Sequence, residues 1–493
     1  MIEQTISLMN EGTAADMIAA LRTRQLSAVE LVDRSIARIE THDPALNAVV
    51  VRDFERARRA AAAADEALAS GDRRPLLGLP ITVKEAFNVS GLPTTWGIPG
   101  TEDWIADDDA VAVARLKAAG AIIVGKTNVP TNLADWQTNN PIHGVTNNPW
   151  DLRRTPGGSS GGGAAALAAD FVRLELGSDL AGSLRVPAHF CGVFAHKPTH
   201  GVVPMRGMAP PGVPSLSLAA TVDLAVVGPM ARSAADLSLA LDVVAGPDDA
   251  DSAAYTIAFP PPRHERLRDF RVLIVDRHPL IPTAGVVRDA MEAVAECLAA
   301  LGCRVARSDP RLPDLAHVAS LYVQLLMAFV GADVTDEDYE GLILAAMDLP
   351  PSDTSLAAES VRAMTISHRD WVQTDRARVT VAHQWRALFR EWDVVLCPVM
   401  PTLAFAHDHR AMDSRTIAID GQEVPYTHQS IWASIATLTG LPATAMPIGS
   451  SAEGLPIGMQ IIGPYLEDRT TLAFAEELER ELGGFVAPPR FAS

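Results

Sequence analysis

Three short stretches of the chain hold the residues best able to do chemistry. The first, "TPGGSSGGGAAA" at 155–166, sets Ser159 and Ser160 among five glycines. The second, "GSDLAGSLRVP" at 177–187, holds Ser183, and the third, "GLPITVKEAF" at 78–87, ends an apolar run on Lys84. A serine hydroxyl attacks a carbonyl only when a base takes its proton. A lysine amine is a base only without its charge, and burial at the end of a strand removes that charge. Each stretch also has an ordinary reading: a lysine snorkelling to water, a hydroxyl tying a loop, a helix N-cap.

Two local motifs do not survive inspection. "GAIIVGKT" at 120–127 fits the phosphate-loop pattern through Gly120, Gly125, Lys126 and Thr127. That loop needs free N–H groups between its glycines, whereas Ala-Ile-Ile-Val reads as a strand that commits them to its neighbours. Gly157, Ser159 and Gly161 fit G-x-S-x-G, but the buried strand that precedes a nucleophile elbow is missing. Upstream stands the polar "NNPWDLRRTP" with two prolines. The "HDH" cluster at 407–409 has no spaced Cys or Glu partners, so no metal site is expected.

The elements that must position these residues alternate between helical and strand patterns, which points to α/β layers. "SAVELVDRSIARIE" opens with Ser27 and Glu30 as a capping box and repeats Val29, Val32, Ile36 and Ile39 at helical spacing. "AIIVGKT" reads as a buried strand, "GAAALAAD" as a helix and the chain from Phe171 to Leu176 as the strand after it. The helix beginning at Gly161 runs outward by roughly 13 Å at 1.5 Å per residue, and the strand returns. Ser183 and Ser159 then meet at one sheet edge, and Lys84 ends an apolar strand where open α/β sheets place their sites. Residues 313–348 are helical, and Leu321, Tyr322, Leu325, Met327 and Phe329 there either cover an acyl pocket or pack the core. The stretch 246–266 reads as a surface excursion.

Composition bounds the function. The 493 residues are 48% hydrophobic and 20% charged, with 41 Lys and Arg against 60 Asp and Glu and a formal charge of −19. Such an acidic balance, without a basic block, argues against nucleic acid and anionic membrane as partners. No apolar run spans a bilayer, and the first residues, with Glu3, Glu11 and Asp16, do not read as a secretion signal. The four cysteines, Cys191, Cys297, Cys303 and Cys397, form no CxxC, so a cytoplasmic location is expected.

The run "PGGSSGGGAAALAADFVRLELGSDLAGSLRVPAHFCGVFAHKPTHGVVP" closely resembles the amidase signature family. "LPITVKEAF" is similar to the family's lysine strand, and "VGPMARSAADLSLALDVVAG" and "GLPIGMQIIGPYLED" are similar to its later segments. The resemblance runs from about residue 12 to 482 and is weakest over 250–390. It implies one amidase-signature domain over 1–493: a large central mixed β-sheet with helices on both faces. Within it, 1–70 would be a helical N-terminal segment, 76–245 the catalytic core, 250–390 a variable substrate-side region and 391–493 the rest of the core.

The resemblance also implies a Ser–Ser–Lys triad, with Ser183 as nucleophile, Ser159 as bridging serine after a cis Gly158–Ser159 peptide, and Lys84 as base. Backbone N–H groups of Leu180, Ala181, Gly182 and Ser183 would hold the oxyanion, supported by Thr155, Gly158, Ser160, Asp179 and Arg185. No cofactor and no metal are implied; the expected partner is a small amide substrate, with a homodimer left open. Ala181 stands where the family often has glycine, which would restrict the oxyanion loop. Glu85 stands where Asp is frequent and should point away from Lys84 with little effect. The activity implied is amide hydrolysis, with ester and carbamate side activity. The alternatives are the glutaminase subunit of a tRNA-dependent amidotransferase and a non-catalytic scaffold.

Overall fold

The computed structural model describes residues 12–213 and 218–491. The strands of its main sheet are β1 (Val49–Arg52), β2 (Pro80–Lys84), β3 (Ile122–Thr127), β4 (Leu174–Asp179), β5 (Phe194–Lys197), β6 (Val226–Ala231), β7 (Arg271–Ile274), β8 (Arg304–Ala306), β9 (Val394–Pro398), β10 (Ala443–Ser450) and β11 (Pro456–Ile462). They form an 11-stranded sheet in the order β1-β3-β2-β4-β6-β5-β10-β11-β9-β7-β8. The sheet is mixed: β2 runs parallel to β3 and β4, while β4 is antiparallel to β6. With the helices packed around it, this is an α/β fold built on the large mixed sheet that the resemblance implies.

Because β2 and β4 are parallel neighbours, their carboxyl ends lie at the same edge, and those ends are Lys84 and Asp179. Helix α1 (Ala28–Leu46) begins at the expected box: the Ser27 hydroxyl accepts from the Glu30 N–H, and the Glu30 carboxylate accepts from the Ser27 N–H. Helix α2 (Gly161–Ala168) leads out from the glycine-rich loop and helix α3 (Arg185–Cys191) follows the second serine segment. Both are wholly buried: α2 through its small residues, and α3 with the Arg185 and His189 side chains hydrogen-bonded inside the fold.

Two sequence expectations are displaced. The strand expected over 171–176 lies three residues later, at β4. Asp170 takes a left-handed turn, with φ 66°, and the ladder with β6 begins only at Leu174 opposite Ala231. The helical stretch 313–348 is two helices, α4 (Leu315–Gly331) and α5 (Asp336–Asp348). The break falls at Thr335, whose hydroxyl accepts the Asp338 N–H and caps α5. Leu321, Tyr322 and Leu325 are core residues of α4, while Met327 and Phe329 are half-buried. In 246–266 a four-residue helix, Asp249–Ser252, interrupts an irregular and largely exposed path. Among the described residues no helix is long and apolar enough to cross a membrane. Glu3 and Glu11, on which the reading of the N-terminus rests, lie outside the described residues.

The "GAIIVGKT" run is strand, as its composition demands, and Lys126 points into the fold rather than toward a phosphate. Its amine is fully buried, donates to the Thr94 hydroxyl at 2.8 Å and to the Pro93 carbonyl, and sits 3.5 Å from Glu85. Burial lowers it to about 8, against the opposing charge of Glu85. Glu85 therefore does more than its sequence position suggests. Besides facing Lys126, its carboxylate accepts the N–H groups of Thr95 (2.6 Å) and Trp96 (2.9 Å) and so fixes the turn beside β2. Removing one member of a buried ion pair costs about 3–5 kcal/mol. Glu85→Ala is expected to lose stability in that range, read from urea unfolding; an unchanged midpoint would mean that the contact carries no weight.

Candidate active site

Lys84, at the end of β2, is fully buried between β3 and β4. Its amine donates to Ser159 Oγ at 2.6 Å and to Ser178 Oγ at 2.9 Å. Burial lowers its pKa to about 7, against the charges of Asp179 and Glu175, which favour the cation. A substantial uncharged fraction therefore exists at neutral pH.

The loop carrying Ser159 is shaped by its neighbours. The Thr138 hydroxyl donates to the Gly157 carbonyl at 2.8 Å, and the Thr155 hydroxyl accepts the Gly157 N–H at 3.0 Å. The Gly158–Ser159 peptide is cis. The glycines serve close approach: a Cβ on Gly158 would lie 2.3 Å from the Asp135 carbonyl oxygen, and one on Gly163 would lie 2.6 Å from the Glu175 carboxylate. Ser160 occupies the N-cap position of α2 without a side-chain cap bond. Its N–H instead donates to the Ser183 carbonyl at 3.1 Å and its hydroxyl to the Ser178 carbonyl at 3.3 Å, joining the two serine segments.

Ser183 follows β4 in the segment 180–183. Asp179 anchors that segment by accepting the Gly182 N–H at 2.9 Å and the Leu184 N–H at 3.1 Å, and it pairs bidentately with Arg185. Although burial opposes it, the charge and hydrogen bonds of Arg185 bring Asp179 down to about 2. Arg185 reaches on to the Ala433 carbonyl and Thr437 hydroxyl of α6 (Ser430–Thr437) and to Gln460 of β11. Of the N–H groups expected to hold an oxyanion, that of Gly182 is committed to Asp179. The N–H groups of Leu180, Ala181 and Ser183 meet no acceptor among the described residues. Gly182, with φ 94°, is the residue that needs to be glycine; Ala181 has no positive φ, so its methyl adds no backbone restriction.

The structure brings Lys84, Ser159 and the 180–183 segment to one edge. The Ser159 and Ser183 hydroxyls are not hydrogen-bonded to each other, and the Ser183 hydroxyl has no partner among the described residues. Three participants were not read from sequence. Ser178 was hidden by the three-residue offset of β4. Glu175 is wholly buried beneath α2, with one carboxylate oxygen accepting the Thr127 hydroxyl at 2.6 Å and the other meeting no hydrogen-bond partner among the described residues. Burial raises it to about 8, against the Thr127 bond and the charge of Lys84. Trp136 donates its indole N–H to the Ala181 carbonyl at 2.8 Å. Among the described residues no three His, Cys, Asp or Glu side chains are grouped to hold a metal; His407 and His409 face Asn147 and Asn139.

Residues 30–472 match the amidase family. The chain belongs to that family. The amidase is 34% identical to a glutamyl-tRNA(Gln) amidotransferase subunit from Anaeromyxobacter dehalogenans, with 96% of each chain covered. It is 31% identical to the fatty-acid amide hydrolase 2-A of Danio rerio, over 97% of this chain and 90% of that one. In structure it is similar to a bacterial aryl acylamidase of the amidase signature enzymes, with a TM-score of 0.78, 25% identity and 97% of both chains covered.

A buried amine is a burden on the fold of this amidase, since an apolar side chain of similar length fills the same space without losing hydration. Lys84→Met is expected to unfold at or above the wild-type temperature, measured by calorimetry. A fall of many degrees would give the amine a structural purpose.

Proposed function

We propose that this amidase hydrolyses small uncharged amides, aryl or aliphatic, through an acyl-enzyme on Ser183. The observation that carries the reading is the 2.6 Å bond between a buried, charge-depleted Lys84 and Ser159, beside the segment that presents Ser183. Lys84 takes the Ser159 proton as Ser159 takes that of Ser183. The Ser183 oxygen bonds to the carbonyl carbon, the C–N bond breaks, and the relayed proton leaves on the amine. Water then attacks the ester, releasing the acid and restoring the Ser183 hydroxyl. The two serine hydroxyls meet when substrate seats, as catalytic hydrogen bonds commonly tighten in the Michaelis complex.

The surroundings of Ser183 favour an uncharged substrate. Tyr322 and Trp136 bond the segment, Tyr426 packs on Trp136, and two acids nearby are already paired, Asp179 with Arg185 and Asp135 with Arg415. Esters and carbamates share the acyl-transfer route and are expected side substrates. The second reading, a glutaminase working as one part of a larger complex, is favoured by the 34% identical amidotransferase relative. It needs charged groups for the glutamine α-amine and α-carboxylate.

A fluorophosphonate should label Ser183 in the purified chain, and an anilide should turn over without a partner. Glutamine hydrolysis only when a partner protein is supplied would select the second reading, and no labelling of folded protein would leave a scaffold. Ser183→Ala and Lys84→Ala are expected to abolish turnover, with Ser159→Ala nearly as severe. Because the neutral amine is the active form, kcat/KM should rise with a one-proton slope up to about pH 7 and fall away on the acid side. A flat profile from pH 5 to 8 would refute Lys84 as the base.

A further inference from the structure

The segment 180–183 is held by hydrogen bonds from outside it, and their directions decide where its own N–H groups face. Across a trans peptide the carbonyl and the N–H point opposite ways, and the cis bond among the described residues lies elsewhere, at Gly158–Ser159. The Leu180 carbonyl accepts the Tyr322 hydroxyl of α4 at 3.1 Å, which turns the Ala181 N–H away from α4. The Gly182 carbonyl accepts the Val186 N–H at 2.7 Å, which turns the Ser183 N–H away from α3. The peptide between them is fixed at both ends: Trp136 donates to the Ala181 carbonyl and Asp179 accepts the Gly182 N–H.

We infer that Trp136 and Tyr322 are positioning residues, locking these peptide planes so that the Ala181 and Ser183 N–H groups stay free for the oxygen of the tetrahedral intermediate. The inference rests on Ser183 being the nucleophile. Both aromatics are themselves restrained. Tyr322 is wholly buried on α4, where its hydroxyl needs a partner, and among the described residues the Leu180 carbonyl is the one it meets. Trp136 packs on the Tyr426 ring at 5.4 Å, and the Tyr426 hydroxyl donates to Asp135, which Arg415 pairs at 2.6 Å. The donors that stabilise an oxyanion act because they are set before charge develops. Here the setting comes from two separate parts of the chain, one of them the region where the family resemblance is weakest.

The test uses the full chain carrying Tyr322→Phe or Trp136→Phe, each keeping most of the ring volume. Saturating fluorophosphonate labelling of Ser183 separates kinact from KI, and a trifluoromethyl ketone reports binding of an anionic tetrahedral adduct. Each variant is expected to lower kinact about ten-fold, in keeping with one neutral hydrogen bond lost at a distance from the oxyanion. KI should stay within two-fold, and ketone affinity should fall by the same factor as kinact. The acid limb of kinact should remain where it is in the wild type, since Lys84 is untouched. Wild-type kinact in both variants, a loss confined to KI, or a displaced acid limb would overturn the inference. Failure of the wild type to label at all would instead overturn Ser183 as nucleophile.

Discussion

Lys84 sits where water does not reach, its amine against the hydroxyls of Ser159 and Ser178. An ammonium in that place would need more than two neutral acceptors to offset its lost hydration. The surrounding strands supply no paired carboxylate at contact distance, so burial shifts the lysine toward its uncharged form. Everything nearby conforms to that choice. β2 is central rather than at an edge, the acids that could recharge the amine are diverted to other partners, and the glycine-rich loop is threaded closely enough to set a hydroxyl at 2.6 Å. Asp179 is tied to Arg185, and Glu175, itself disfavoured as an anion by burial, leans on Thr127.

The same economy governs the segment 180–183. Five of its backbone polar groups have fixed partners, drawn from β4, α3, α4, the stretch before the glycine loop and Ser160 within that loop. A short loop so held has little conformational freedom left to lose on binding substrate, which is what pre-organisation of an acyl-transfer site requires.

Much of this arrangement was legible in the sequence because it is local. An apolar strand ending on lysine, a run of small residues opening a helix, and a capping box at Ser27 each announce themselves within ten residues. The P-loop look-alike could be dismissed on the same grounds, since a strand cannot lend its N–H groups to phosphate. What was not legible depended on pairing between distant segments. The register of β4 is set by β6, and a three-residue offset concealed Ser178 and moved Asp179 from loop to strand end. Gly182 looked like a free donor until its neighbour's carboxylate was seen to hold it. Tyr322 in an apolar helix is, by spacing alone, indistinguishable from any other core aromatic. Only the fold reveals that its hydroxyl meets a carbonyl three residues before Ser183.

Arg185 carries a consequence of another kind. Its guanidinium is satisfied by Ala433, Thr437 and Gln460, groups some 250 positions further along the chain. During synthesis, a nascent polypeptide ending before that point would hold this cation with only Asp179 for company, and the serine beside it would lack its final setting. The setting of the 180–183 segment is therefore completed only once residues 433–460 have emerged and packed against Arg185, and a fragment ending before them should leave that loop loose.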